Sequence, residues 1–125
     1  MNNFEDLDFE ISLYEDILKE KPAHIDALIA VGNAYTRKGR FEDGLAIDLT
    51  LSRLRSNDPY VHYNLACSYS LLKNADKSFE TLKKAIQLGY CDFDYMEEDA
   101  DLAFVRDDPR YRELIAAIRN RIGEV

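Results

Sequence analysis

The feature that most constrains this chain is a repeated register. The stretch HIDALIAVGNAY, residues 24–35, and the stretch DPYVHYNLACSY, residues 58–69, align at an offset of 34 residues, so that Val31, Gly32 and Tyr35 answer Leu65, Ala66 and Tyr69. Each trio falls on one face of a helix. A glycine inside a helix costs roughly 1 kcal/mol against alanine, so Gly32 implies an offsetting close approach by a second helix. Another small pair, Gly44 and Ser78, recurs at the same offset, and Leu51 is answered by Ala85. Units of this length, each a helix pair with small residues where the helices cross, are the pattern of a stacked solenoid.

Local punctuation supports an all-α reading. No segment sustains apolar/polar alternation between turn residues, so strands have no support. In FEISLYEDILKEKP the residues Ile11, Tyr14, Ile17 and Leu18 share a face until Pro22 stops the helix. Gly39 reads as a left-handed C-terminal cap, and Asp58-Pro59 and Asp108-Pro109 each read as an N-cap followed by a first-turn proline. The spacing predicts helices over 4–20, 24–38, 41–55, 59–72, 75–88 and 108–122, with short turns across 92–105. Connections are brief up to the acidic stretch, which predicts antiparallel packing of consecutive helices.

At 125 residues the chain has room for one domain. Hydrophobic residues make up 46% and charged residues 32%, a folded composition. No apolar run reaches membrane-spanning length, and the N-terminus MNNFEDLDFE is acidic where a secretory leader needs basic residues. A cytoplasmic protein is the expectation. Cys67 and Cys91 lack metal-ligand or redox spacing, so free thiols are expected ahead of a disulfide. The net charge of −8 argues against nucleic acid or an anionic membrane as partner, since both are held chiefly by Lys and Arg.

The register resembles that of tetratricopeptide repeat (TPR) proteins. Leu28-x2-Val31-Gly32-x2-Tyr35 and His62-x2-Leu65-Ala66-x2-Tyr69 match the repeat's opening in residue class, although tryptophan is absent, and Pro22 falls where a closing proline belongs. The resemblance covers roughly residues 7–90 and implies a right-handed superhelix. It divides a single domain, 1–125, into a half-repeat at 4–22, repeats at 25–58 and 59–92, and a degenerate capping segment at 93–125. The stretch DADLAFVRDDPRYRELI is similar to the closing segment of bacterial TPR chains. There Leu102, Val105, Tyr111, Leu114, Ile115 and Ile118 form an apolar face that covers the last repeat helix, while Arg112 and Arg119 point towards water.

In TPR stacks the first helix of each pair lines a concave groove. The resemblance therefore implies a peptide-binding groove carrying Ile29, Asn33, Thr36 and Arg37 from one unit and Tyr60, Tyr63, Asn64 and Cys67 from the next, with Asp26 and Ser70 on the same face. Asn33 and Asn64 match asparagines with which carboxylate-clamp TPRs hold a C-terminus. The clamp's basic residues are missing: Ile29 stands at one lysine position, and Asp94 and Glu98 fall where others belong.

Catalysis finds no visible home. His24 and His62 sit at helix starts in different units, and no strand-to-helix elbow presents a nucleophile. His62 reads as a partly buried packing residue. The acids Asp92, Asp94, Glu97, Glu98, Asp99 and Asp101 do not follow calcium-loop spacing and read as a solvated loop. The expected function is a non-enzymatic adaptor without metal or cofactor that holds a neutral-to-basic polypeptide segment, or else a module that self-associates into homo-oligomers.

Overall fold

The helix starts at Ile25, Pro59 and Ala75 coincide with side chains that satisfy a free amide of the first turn. In the computed structural model, which describes residues 3–121, helix α1 runs Asn3–Glu20 and α2 runs Ile25–Arg37. The Nδ1 of His24 caps α2 by accepting from the Ala27 amide at 3.1 Å. Helix α3 spans Phe41–Leu54 and α4 spans Pro59–Leu71, the latter capped by Asp58, which accepts from the Tyr60 amide at 2.9 Å. Asn74 caps α5, Ala75–Gln87. A short α6 (Phe93–Glu98), a 3₁₀ turn (Ala100–Leu102), α7 (Ala103–Arg106) and α8 (Pro109–Arg121) complete the chain. No strand occurs among the described residues. The expected helices therefore form where the punctuation placed them. Residues 1, 2 and 122–125, which close the expected domain and cap at either end, lie outside the described residues.

Through α5, consecutive helices pack on one another, α1 with α2, α2 with α3, α3 with α4 and α4 with α5. The small residues explain how α2 and α3 meet. A Cβ added at Gly32 would lie 3.1 Å from Cγ2 of Ile47, and one at Gly44 would lie 3.1 Å from Oγ1 of Thr36. Where α4 meets α5, Ala66 and Ser78 are both fully buried, and the Ser78 hydroxyl donates to the Ala66 carbonyl at 2.8 Å, tying α4 to α5. The chain reversals follow the same register. Gly39, with φ 84°, turns α2 into α3, and Lys73, with φ 64°, turns α4 into α5.

The core is built in three clusters. Leu7 and Ile11 of α1 meet Val31, Ala34 and Tyr35 of α2. Leu28, Leu51 and Val61 join α2, α3 and α4. The largest cluster gathers Tyr63, Ala66, Phe79 and Leu82 with Tyr90, Met96, Leu102, Val105 and Tyr111. Residues 93–111 thus contribute a large share of the main core.

That contribution corrects two expectations. The acidic stretch is not a loop: Asp92, Asp94, Glu97 and Glu98 are solvated as expected, but the segment is helical, Met96 as well as Leu102 is fully buried, and the 3₁₀ turn and α7 pack on α4. By folding across α4 they cover part of the face expected to stay open. Tyr63 (3% exposed), Cys67 (6%) and Ser70 (0%) are therefore buried. The apolar face of α8 does form, with Tyr111 and Ile118 buried and Leu114 and Ile115 half-buried, while Arg112 and Arg119 are exposed.

Candidate functional site

A cleft of about 350 Å³ opens between α2, α3, α4 and the 3₁₀ turn. Helix α2 contributes Gly32, Asn33, Thr36 and Arg37; α3 contributes Asp48; α4 contributes Asn64, Cys67, Ser68 and Leu71; the 3₁₀ turn contributes Asp101. Of the expected groove residues, Asn33, Thr36, Arg37, Asn64 and Cys67 come together here. Ile29 and Tyr60 are exposed, at 43% and 62%, but do not line the cleft, and Tyr63 is buried against Tyr90 and outside its lining.

Asp48 sets the electrostatics. One carboxylate oxygen accepts from the Ser68 hydroxyl at 2.5 Å. Desolvation pushes its carboxyl up to about 6, and the Ser68 hydrogen bond only partly opposes this. No cation pairs with Asp48 among the described residues. Asp101 is also raised, first by burial and then by neighbouring Asp99. Arg37 at the rim reaches back to Glu10 of α1, with 3.6 Å between charged atoms. The side chains of Asn33 on α2 and Asn64 on α4 are exposed. Such a surface offers backbone-binding amides around an acidic floor whose charge is uncompensated.

Beside the cleft runs a set of four tyrosines. Tyr63 stacks on Tyr90 with ring centroids 4.2 Å apart, Tyr60 meets Tyr90 edge-on at 5.7 Å, and Tyr95 tilts towards Tyr63 at 6.3 Å. The inner two are buried, whereas Tyr60 and Tyr95 are more than half exposed. Asp99 joins this set to the cleft: it accepts from the Tyr63 hydroxyl at 2.7 Å and the Cys67 thiol at 3.7 Å. Burial is the main cause that raises both the Tyr63 hydroxyl and the Cys67 thiol, with Asp99 adding to each, so both stay protonated. A buried, protonated thiol is a poor nucleophile.

Asp48, Ser68 and Asp101 were not among the residues expected to line the groove. Asp48 had a signal: in GLAIDLTL it is the lone charge within an apolar stretch. Asp101 had none, because its place depends on where the segment after residue 92 returns. A wider depression of about 690 Å³ over α4 and α5 is lined by His62, Phe79, Lys83, Lys84 and Arg110 among others. Its lysines are exposed, the buried Thr81 hydroxyl in its wall already donates to the Lys77 carbonyl at 2.7 Å, and His62 is held by the Ser56 carbonyl at 2.8 Å as a packing residue.

No protein-family model matches the chain. It is similar to a chloroplastic protein of Arabidopsis thaliana, with 26% identity over 100 residues. That alignment takes in 78% of this chain and 30% of the relative, so the chain spans about a third of the relative's length. Among the described residues, no helix is long and apolar enough to cross a membrane.

Proposed function

We propose that this chain is a TPR-like adaptor that holds a neutral-to-basic polypeptide segment over the cleft between α2 and α4 and performs no chemistry on it. The observation that carries this reading is the pairing of exposed amides, Asn33 and Asn64, with a largely buried carboxylate, Asp48, that lacks a cation. Amides from successive units can hydrogen-bond an extended backbone without demanding a sequence. A lysine or arginine side chain lowered between them would supply the charge that Asp48 lacks. Tyr60 and Tyr95 offer aromatic contact area beside it. Within this reading the helix pairs continue as a right-handed superhelix, with the setting a bacterial cytoplasm.

The test is a titration with one extended peptide in two versions, central Lys and central Glu, followed by amide shifts at Asn33 and Asn64. The Lys version should bind and the Glu version should not. Equal binding of both, or no shift at either asparagine, removes the cleft from consideration.

One observation favours a second reading, self-association. Phe9 (72% exposed) and Leu13 (47% exposed) lie one turn apart on α1, leaving an apolar strip on the first helix. Sedimentation across a concentration series decides it: Phe9→Ser with Leu13→Ser should abolish any concentration-dependent mass.

A further inference from the structure

We infer that the cleft bounded by α6, α7 and α8 is an oxyanion site, which takes a carboxylate or phosphate group against Arg106 and Tyr111. The cleft encloses about 380 Å³, and its charged walls are Arg106, Arg112 and Arg119 against Glu97 and Asp107. Its balance is positive in a chain whose net charge is −8. Arg106 is half-buried and fixed by the backbone, since its Nη1 donates to the Met96 carbonyl at 2.9 Å and the Asp99 carbonyl at 2.7 Å. A guanidinium immobilised through one nitrogen presents its remaining N–H groups in a set direction, which suits the two oxygens of an oxyanion. None of the three arginines forms an ion pair among the described residues.

Tyr111 supplies an independent pointer to a ligand. The residue is 4% exposed and lines this cleft, yet its hydroxyl is buried without a hydrogen-bond partner. Buried hydroxyls are nearly always bonded, so this donor on a cleft-lining residue lacks an acceptor that the described residues do not supply, and an oxyanion seated beside it would be one. Burial, reinforced by Glu97 and opposed by Arg106, raises this hydroxyl to about 12, so it remains protonated and able to donate. Both charged groups that act on it line the same cleft. A cation would meet three arginines there, whereas an oxyanion satisfies Arg106 and Tyr111 together and gains from Arg112 and Arg119 at the rim.

The experiment titrates the whole chain with butyrate, inorganic phosphate and, as a cationic control, butylammonium, at constant chloride-balanced ionic strength. Tyr111 ring signals and arginine Nε–H signals are followed by NMR. Saturable shifts of these groups with butyrate or phosphate support the site; tighter butyrate binding identifies a carboxylate as the ligand, and tighter phosphate binding identifies a phosphate. Tyr111→Phe should fold at least as stably, because it removes an orphaned polar group, yet bind the oxyanion about ten-fold more weakly. Arg112→Gln with Arg119→Gln, both exposed positions, should also weaken binding and keeps the test decisive if Tyr111→Phe fails to fold. The inference is overturned if neither oxyanion gives a saturable shift, if butylammonium gives the same shifts, or if the folded variants bind as tightly as the parent.

Discussion

The ring of Tyr63 lies flat on that of Tyr90, 5° from parallel, and its hydroxyl is bonded to Asp99 36 residues along the chain. This residue is structural cement between α4 and the segment that follows α5. Tyr63→Ala should therefore cost ~3–5 kcal/mol, as for other large buried aromatics. Tyr63→Phe keeps the stack but removes the hydroxyl bond to Asp99, which keeps the Cys67 thiol and the Asp101 amide as donors, and should cost ~1–3 kcal/mol. Urea denaturation of both variants checks the order; a neutral Tyr63→Ala would mean that the stack contributes nothing.

At the α4–α5 crossing, Ala66→Leu adds volume to a fully buried site and should destabilise by ~1–3 kcal/mol. Ser70→Leu should do the same, because Ser70 is equally buried. Ser70→Ala is the informative partner. The serine hydroxyl has no hydrogen-bond partner, so its removal should leave the denaturation midpoint unchanged or raise it.

Asp48 gives the chain a pH signature. Its carboxyl sits at about 6 in the folded state against an ordinary 3.8. The folded chain therefore holds this proton more tightly than the unfolded chain, and its contribution to stability falls as pH rises from about 4 through about 6. Asp48→Asn can still accept from Ser68 without carrying the charge. It should exceed the parent in stability at pH 7 by on the order of 1–3 kcal/mol, with the gap closing near pH 4. Thermal melts across this range test the sign: a gap that widens on acidification contradicts the assignment.

Helix α8 is held by Tyr111 and Ile118 in the core, and by Arg110, which pairs with Asp76 at 2.7 Å and lies 4.8 Å over the Phe79 ring. Ending the chain at Asp108 should expose Phe79 and Val105 and cost at least ~3 kcal/mol, given ~1.5–3 kcal/mol for each large apolar side chain buried. Calorimetry and light scattering would register lower melting and association. An unchanged melt would make the helix dispensable.

The local parts of this architecture were legible in the sequence. Val31, Gly32, Leu65 and Ala66 announced their helix faces because a face depends only on spacing within a few turns. The Asp58-Pro59 and Asp108-Pro109 starts depend only on first-turn chemistry. The destination of residues 93–106 was only partly legible: Leu102 and Val105 read as covering the last repeat helix, but Met96 stands among Asp94, Glu97, Glu98 and Asp99, and nothing local says that this segment returns to α4. The error at Tyr63 and Cys67 follows from the same gap. Helix register placed them on the correct face of α4, but a face is open only when nothing later in the chain covers it.

The succession of packed neighbours also bears on how the molecule opens. Helix α1 is joined to the rest chiefly through α2, by the Tyr35–Glu15 bond at 2.6 Å and the Lys38–Asp8 and Arg37–Glu10 pairs. At the other end, bonds from Tyr63 and Cys67 to Asp99 clasp α4 to a segment more than thirty residues away. Fluctuations should thus be graded along the chain, with α1 detaching while the α4–α5 body remains closed. Backbone amides of α1 would exchange with deuterium through partial opening, and those of α4 only when the whole body comes apart.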